Sequence, residues 1–539
     1  MLYNNLNYES IFETRVRKDE NRVKIVKKEL RSPEINGWSR KIYMELSGPT
    51  EEDFASDQER ILRELRAEFG EIRCSLKVLK KFYPLCYKAG WKITAFLVWT
   101  GCQWELADIE EGDTTGCHYG VYADLGSTTI AVALADMNTG KTVCEKSGFN
   151  RQIAFGEDIL SRIFYGKDQP ERMEEIRKAT IDSFLELFRQ IQEETGIPSE
   201  KWGSLILSGN TTMLHFLLGL DAFCVFSSPY AVRTLKPDCY PAKELGFPNL
   251  GYVYCFPGQA NYLGGDILSG IVATELYKQE ELCVFLDIGT NGELVIGNKD
   301  FLVVGAGAAG PALEGGVVKT GMRAETGAVD QVEIHDQEVL VHVIGEGEAK
   351  GICGSGIVDL LAQMFLNGWI DMKGKLQPEV SGKITEREGE LAAEYAPGLC
   401  FYQSDIEEFL KTKAAAGTMV EYMMHEVGLT MKDIEKFYVA GAFGTHISKE
   451  SGVTIGLYPD IRRDKIVLPG NTSLLGAGKM LLNKEYQKDI LELLEKMVYI
   501  QFGAVDNFVH LMAASEAIPH TDLKRYPTVE AELRRRGRG

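Results

Sequence analysis

Two stretches of this sequence repeat one another, and the repeat limits the folds open to the chain. Each copy has an apolar run, then Asp-x-Gly-Ser/Thr, then at once a second apolar run. The first copy occupies residues 121–134 and the second 284–297, so Asp124 and Asp287 stand 163 residues apart. A Gly-containing turn between two apolar runs is typical of a β-hairpin. The sequence therefore predicts two hairpins in equivalent places of two similar half-domains.

A second repeated pattern supports the same duplication. An apolar strand runs into a Gly-containing turn and a helical segment at residues 205–212, and again at 438–444. Strands, Gly-rich turns and long helices alternate from Tyr119 to about residue 515, which favours an α/β fold. We expect two half-domains that face each other across a cleft, each contributing one hairpin and one Gly turn.

The repeated turns carry groups that bind phosphate. Gly, Ser and Thr offer backbone N–H groups and hydroxyls to phosphate oxygens, and an Asp at a strand end can hold Mg²⁺ through water or orient an attacking water. The sequence contains no Gly-x-x-x-x-Gly-Lys-Ser/Thr loop, and no dinucleotide fingerprint in the required strand–helix context. Two turns from opposite halves predict a clamp on one triphosphate.

Several other segments leave two interpretations open. The Gly-rich stretch 305–316 is either a turn where a helix packs closely or a loop facing a nucleotide, and 351–356 opens an apolar helix that could face an anion. Arg162 could meet an anion or form a surface salt bridge. His215 and His446 follow Gly turns, where we expect hydrogen-bonded core or cleft histidines rather than catalytic bases.

Composition excludes some functions. The 539 residues carry a net charge of −19, which argues against nonspecific nucleic-acid binding as the main role. No apolar run approaches the ~20 residues that span a bilayer, and no apolar leader is visible at the N-terminus, so we expect a cytoplasmic protein without membrane contact. The eleven cysteines contain no Cys-x-x-Cys pair, which predicts reduced, buried thiols and neither an iron–sulfur cluster nor a zinc site.

The sequence divides into five predicted segments. The small α+β domain should contain a strand at 41–46, a helix capped by Ser56, a strand at 91–100 and a polar linker at 108–115. The basic residues at the C-terminus are expected to form a solvated tail. The predicted segments are an unassigned N-terminal arm (1–38), the small α+β domain (39–115), a first lobe (119–280), a second lobe (281–525) and the basic tail (526–539).

The duplicated hairpins resemble those of the superfamily that includes acetate kinase, sugar kinases, heat-shock ATPases and actin. Residues 124–129 look like its first phosphate motif, 287–293 like its second, and 439–444 like its adenosine motif. This resemblance implies an α/β fold of two ribonuclease-H-like lobes that close on Mg-ATP.

A narrower resemblance is to the reductive activators of corrinoid proteins, and it covers about residues 40 to 525. The stretches that carry it are KIYMELSGPTEEDFASDQERILREL (41–65), NRQIAFGEDILSRI (150–163), SGNTTMLHFLLG (208–219), LDIGTNGEL (286–294), AAGPALEGG (308–316), GICGSGIVDL (351–360), VAGAFGTHI (439–447) and PHTDL (519–523).

The narrower resemblance implies an ATPase that helps to reduce the Co(II) of a corrinoid protein to the methyl-accepting Co(I) state. Members of this family commonly carry a ferredoxin-like iron–sulfur domain, whereas this sequence has no cysteine before Cys74 or after Cys400. We therefore expect electrons to come from a separate, ferredoxin-like protein. A homodimer is compatible with this expectation.

The resemblance also implies the site residues. Asp124 and Asp287 are the expected catalytic groups and would hold Mg²⁺ through water. The expected ATP-binding residues are Gly126, Ser127, Thr128, Thr129, Gly209, Asn210, Thr211, Gly289, Thr290, Asn291, Gly292, Glu293, Gly310, Glu314, Gly315, Gly441, Ala442 and Gly444.

Three other functions stay open from the sequence. A small-molecule kinase of the same superfamily would need a general base for its acceptor hydroxyl, and no such residue stands out. An ATPase that remodels a corrinoid protein would need no redox role. A non-enzymatic binding module would carry a degenerate nucleotide site, but both phosphate turns keep their Asp, Gly and hydroxyl residues.

Overall fold

The computed structural model describes most of the chain, and the fold is given for that part alone. For Asn291, Ala308, Val509 and His510 it describes the backbone only. The described residues are 35–289, 291–308, 318–335, 337–441, 447–502, 505 and 508–538.

A small four-stranded sheet with two helices comes first. Its strands have the order β1-β3-β4-β2, and both helices begin at a serine whose hydroxyl accepts a backbone N–H, Ser56 for α1 and Ser75 for α2. The elements are β1 (Ser39–Glu45), α1 (Asp57–Phe69), β2 (Ile72–Cys74), α2 (Leu76–Lys88), β3 (Lys92–Trp99) and β4 (Trp104–Glu111).

The linker prediction for 108–115 is wrong in its first half, since residues 108–111 belong to β4. The acidic side chains there are ion-paired on the solvent side. Lys81 bonds Asp108 at 2.6 Å and Lys88 bonds Glu111 at 2.6 Å. A polar stretch can thus form a strand when only one of its faces is buried.

The first six-stranded sheet has the order β7-β6-β5-β8-β10-β9. Its elements are β5 (Tyr119–Leu125), β6 (Thr129–Asp136), β7 (Thr142–Phe149), α3 (Ile159–Gly166), α4 (Pro170–Thr195), β8 (Trp202–Gly209), α5 (Thr211–Leu218), β9 (Tyr240–Pro241), β10 (Tyr252–Cys255) and α6 (Gly265–Thr274).

The second six-stranded sheet has the order β21-β20-β11-β12-β13-β22, with two three-stranded sheets inserted between β13 and β20. Its elements are β11 (Cys283–Ile288), β12 (Asn291–Gly297), β13 (Leu302–Ala308), β14 (Ala328–His335), β15 (Glu338–Val343), β16 (Gly351–Ile352), α7 (Gly354–Asn367), β17 (Ile384–Arg387), β18 (Glu390–Ala396), β19 (Leu399–Tyr402), α8 (Gln403–Glu426), β20 (Lys436–Ala440), α9 (Lys449–Thr454), β21 (Ile466–Gly470), α10 (Thr472–Leu482), α11 (Tyr486–Lys496), β22 (Val498–Gln501), α12 (Phe508–Ser515) and α13 (Pro527–Arg535).

The two large sheets repeat one topology, which confirms the predicted α/β fold of two similar lobes. In each sheet a three-stranded antiparallel meander (β5-β6-β7 or β11-β12-β13) is extended from its first strand by two parallel strands (β8-β10 or β20-β21). Both predicted hairpins are present, with Asp124 opposite Ala131 and Asp287 opposite Glu293. We call the first sheet with its helices lobe I and the second lobe II.

Two helices cross between the lobes and join them. In α6, a Cβ added at Gly270 would lie 2.4 Å from the Phe285 ring of β11. In α10, a Cβ added at Gly476 would lie 1.9 Å from the carbonyl oxygen of Ser269, so the two helices touch through their backbones. Apolar side chains of both sheets and both helices, with Trp38 of the predicted N-terminal arm, form one buried cluster there. Residues 1–34 of that arm lie outside the described residues.

The tail prediction for 526–539 is wrong for most of the segment. Helix α13 buries Val529 and Leu533 in the core of lobe II, while Arg534, Arg535 and Arg536 are ion-paired with Glu530 or Glu532 on its outer side. Among the described residues, no helix is both long enough and apolar enough to cross a membrane.

Candidate functional site

The site lies where the parallel strands of each lobe end. In lobe I, Asp124 of β5 is in register with Ser208 of β8, so the two turns that follow these strands are neighbours. A Cβ at Gly209 would lie 2.8 Å from the Leu125 carbonyl oxygen, and one at Gly126 would lie 2.4 Å from that of Thr129. Only glycine fits these two close approaches. The structure thus brings together the predicted residues 124–129 and 209–210.

Lobe II repeats this arrangement with β11 and β20. Asp287 is in register with Ala440, and Gly441 follows directly with φ +95°. A Cβ at Gly441 would lie 2.6 Å from the carbonyl oxygen of Ile288 and 2.9 Å from Oδ1 of Asp287. The glycine therefore permits both the backbone turn and the close approach to the carboxylate.

Four carboxylates converge between the lobes: Asp124, Asp266, Asp287 and Glu293. Glu293 lies opposite Asp287 in the β11–β12 hairpin and is buried, whereas the three aspartates keep part of their surface open to the cleft. Although these aspartates are partly exposed, protein atoms replace most of the water around their carboxylates, which disfavours the charged form.

Burial raises the pKa of every one of these groups, and repulsion by neighbouring carboxylates adds to the shift at Asp266, Asp287 and Glu293. Burial, then the charges of Asp266 and Asp124, raise the pKa of Asp287 to about 7. Burial and the charge of Asp124 likewise raise the pKa of Asp266 to about 7, and the pKa of Glu293 is raised well above its usual range by burial and by Asp266 and Asp287. A bound cation would offset the repulsion between these carboxylates, so the site is suited to binding one.

Asp124 differs from the other three because lobe II supplies its hydrogen-bond donors. Burial raises its pKa, but Ser473 Oγ donates to Oδ1 at 2.7 Å and Asn471 Nδ2 donates to Oδ2 at 2.9 Å, and both bonds oppose that shift. Ser473 Oγ also lies 2.8 Å from Ser208 Oγ. Asn471 caps α10, accepting the Leu474 N–H, so the start of α10 holds the carboxylate.

The donor set suits Mg²⁺ held through water. Carboxylate oxygens are preferred magnesium ligands, and Mg²⁺ usually keeps several of its waters. Within the part of the chain that the structure describes, no three His, Cys, Asp or Glu side chains form a direct metal-ligand set. The four carboxylates therefore fit a hydrated ion better than a bare one.

The interpretation of Arg162 as a surface salt bridge is wrong. Its side chain is fully buried, and its guanidinium donates to the backbone carbonyl oxygens of Ser127, Gly156 at 2.8 Å and Glu157 at 3.2 Å. Burial lowers its pKa, and the charge of Asp158 opposes that shift. Arg162 therefore ties the turn after Asp124 to the loop before α3.

The other predicted residues have varied placements. Asn210 caps α5, and the hydroxyl of Thr211 donates to the carbonyl oxygen of Ala260 at 3.2 Å. His215 is a buried, hydrogen-bonded residue, as expected, with Nδ1 2.7 Å from the Thr211 carbonyl oxygen and Nε2 accepting the Arg233 N–H. Thr290, Gly310, Glu314, Gly315, Ala442, Gly444 and His446 lie outside the described residues, as does the side chain of Asn291.

Sequence reasoning missed three residues of this site. Asp266 stands in the first turn of α6 after two glycines, and a Cβ at Gly264 would lie 2.6 Å from the Cα of Asn210. Asn471 and Ser473 open α10 after Pro469-Gly470. A glycine turn followed by a polar helix start was the available signal in both places.

Three family models of one family together match most of the chain between residues 28 and 530. The profile for the RACo linker region matches residues 28–116, the one for the RACo middle region matches 119–279, and the one for the C-terminal domain of RACo, the ASKHA domain, matches 281–530. A solved structure described as a reductive activator for corrinoid, iron–sulfur protein has a TM-score of 0.85 and 34% identity, and the match covers 92% of this chain and 81% of that one.

Two curated relatives are also similar. The corrinoid activation enzyme RamQ of Eubacterium limosum is 30% identical over 387 residues, which is 68% of this chain, and the chain spans 65% of that relative's length. A reductase of the Co(II) methylated amine-specific corrinoid protein, from Methanosarcina barkeri, is 26% identical over 415 residues, which cover 70% of this chain and 73% of the relative.

Proposed function

This chain belongs to the family of reductive activators of corrinoid proteins, and from that premise we propose that it hydrolyses Mg-ATP to support reduction of a corrinoid protein from Co(II) to Co(I). The observation that carries the proposal is the acidic centre between the lobes. Its carboxylates come from both copies of the repeated hairpin and from the helix that joins the lobes. ATP bound there would contact both lobes at once.

The residues of the two turns have distinct roles in the proposal. The backbone N–H groups of residues 126–129 and 209–210 bind phosphate oxygens, as Gly-rich turns do. Asp124 and Asp287 would hold Mg²⁺ through its waters, and that ion would supply the charge that offsets the phosphates. Gly441 lets the chain pass close to the nucleotide. Positioning and charge neutralisation are the main requirements of phosphoryl transfer.

A proton acceptor is available for the attacking water. Asp266 has no assigned role in holding Mg²⁺ and stands in the first turn of α6 beside Asp124 and Asp287, which suits a general base. It takes a proton from water as the water oxygen attacks the γ-phosphorus, and the β–γ bridging oxygen leaves with ADP.

The redox part of the proposal needs an external electron. The eleven cysteines are dispersed over the fold, and seven of them are buried. We propose that a separate reduced carrier protein gives one electron to the cobalt of the partner. About 59 mV of a one-electron couple corresponds to ~1.4 kcal/mol, so a few kcal/mol of preferential binding to one cobalt state shifts the reduction substantially.

The experiment is ATP hydrolysis by the purified protein with and without a Co(II) corrinoid protein, with Ti(III) citrate as reductant. The oxidation state of cobalt is followed by its visible spectrum, and ATP hydrolysis is followed by the release of phosphate. We expect the partner to stimulate turnover and Co(I) to form only with ATP, and the Asp287→Ala variant to do neither. Turnover that ignores the partner, or Co(I) formation that needs no ATP, would contradict the proposal.

A further inference from the structure

Helix α2 of the small domain exposes an apolar stripe. Leu76, Leu79, Tyr83 and Tyr87 follow one another at intervals of three, four and four residues and therefore share one face. Leu76 is 65% exposed and Tyr83 is 68% exposed. The opposite face buries Val78, Phe82 and Cys86 in the core of the small domain, so packing does not account for the outer stripe.

The aromatic side chains of the stripe are held in place by neighbouring rings. The Tyr83 and Tyr87 rings have centroids 4.8 Å apart, and Tyr87 lies 5.5 Å from the ring of Trp91, which is buried. The guanidinium of Arg60 lies over Trp91 at 5.6 Å. A surface with its aromatic rings already ordered loses little conformational entropy when another protein covers it.

All charged residues on α2 are cationic. The helix has four lysines and neither Asp nor Glu, within a chain of net charge −19. Lys81 and Lys88 are paired with Asp108 and Glu111. Lys77 and Lys80 are exposed beside the stripe and form no ion pair with the described residues. The α2 face is therefore a local basic and aromatic surface on an acidic protein.

We propose that the α2 face binds the electron donor, and that this donor is an acidic one-electron carrier protein; the inference rests on the proposed function. An acidic carrier is repelled by most of this chain and attracted to α2, which orients it before contact. The reduced carrier gives up one electron, and the cobalt of the corrinoid protein goes from Co(II) to Co(I) without any bond being made to α2.

The charges argue against a second copy of the chain as the occupant. A twofold contact through this stripe would bring the lysines of two α2 helices together, and like charges placed together oppose binding. An anionic membrane or a nucleic acid would extend beyond α2 and meet the acidic body of the protein, whereas a small acidic carrier can contact α2 alone. Such a carrier makes use of both the lysines and the stripe, and a small, transient contact is typical of electron-transfer partners.

The test measures Co(I) formation driven by a reduced, acidic [4Fe–4S] ferredoxin, with ATP and a Co(II) corrinoid protein. Reversing the charge in Lys77→Glu/Lys80→Glu should raise the half-saturating ferredoxin concentration at least tenfold at low ionic strength. Truncating the stripe in Leu76→Ala/Tyr83→Ala should raise it as well. The control Lys141→Glu/Lys178→Glu makes the same change of net charge on exposed lysines of lobe I and should leave the value unchanged.

A second reductant distinguishes failure of the α2 docking surface from failure of the proposed function. With Ti(III) citrate in place of ferredoxin, all of these variants should form Co(I) at the wild-type rate and hydrolyse ATP normally. Failure of the wild-type protein with Ti(III) citrate would refute the proposed function. Success there, with ferredoxin saturation unchanged by both α2 variants, would refute the docking surface alone. Loss of a dimer in sedimentation, with unchanged ferredoxin saturation, would instead assign the stripe to a second copy.

Discussion

The guanidinium of Arg162 donates a hydrogen bond to the carbonyl oxygen of Ser127, in the turn that follows Asp124. Further bonds to the carbonyl oxygens of Gly156 and Glu157 place this buried cation between two loops. The turn after Asp124, which we propose binds phosphate, is therefore held by a side chain 35 residues away.

Removing this guanidinium should weaken both the fold and the site. In Arg162→Met the three carbonyl oxygens lose their donor, and each unsatisfied buried group costs ~1–3 kcal/mol. We expect the free energy of unfolding in urea to fall by about 3 kcal/mol and ATP affinity, measured by calorimetry, to fall at least tenfold. Arg162→Lys should be intermediate in both. Arg189→Met removes an exposed arginine of α4 and should change neither; an unaltered ATP affinity in Arg162→Met would refute the positioning role.

Asp287→Asn should abolish turnover while stabilising the nucleotide-free protein. Loss of one charge removes repulsion with Asp266 and Asp124, but it also removes a carboxylate that we propose holds Mg²⁺. We expect phosphate release to fall at least ~100-fold, the scale of removing one preorganised charge-stabilising group, and the melting temperature without nucleotide to rise. The matched control is Asp300→Asn, at the exposed turn between β12 and β13 of the same sheet. A stable variant with full turnover would show that Asp287 has no catalytic part.

The acidic centre predicts how stability depends on pH. Asp266 and Asp287 have pKa values of about 7 in the folded protein and ordinary values near ~4 when unfolded, so the folded state binds more protons between these limits. The stability of the nucleotide-free protein should therefore fall as the pH rises from 5 to 8. Urea midpoints across this range measure the effect, and Asp266→Asn/Asp287→Asn should flatten the slope. A slope of opposite sign in the wild type would contradict the assignment.

Gly441→Ala tests the close approach in lobe II. Alanine at φ +95° is strained, and its Cβ would also meet the carbonyl oxygen of Ile288 and the carboxylate of Asp287. Gly428→Ala is the control, since Gly428 has φ +70° with no atom within 4 Å of an added Cβ. Both variants should lose ~1 kcal/mol of stability from the backbone. Only Gly441→Ala should also lose nucleotide binding, and equal calorimetric affinities would count against the assignment.

The repeated hairpins were predictable because each is a local pattern with its turn residues adjacent in sequence. The roles of Asp266 and Ser473 could not be predicted, because each residue lies on a helix more than 140 residues after Asp124 in the sequence. Arg162 was misread because its burial depends on the loops around it rather than on its neighbours in sequence. The strand at Asp108 and the helix at Val529 were not predicted, because the many charged residues of their outer faces make the apolar pattern of the inner faces difficult to recognise in the sequence.

The bonds from Asn471 and Ser473 to Asp124 have a consequence for how the molecule opens. Both oxygens of this carboxylate are satisfied by donors at the start of α10, a helix that follows the last parallel strand of lobe II and packs on β5 and β8 of lobe I. A cation that takes over those oxygens competes with the same two bonds. Ion binding at Asp124 is thus coupled to the seating of α10 on lobe I, and through α10 to the part of lobe II that precedes it in the chain.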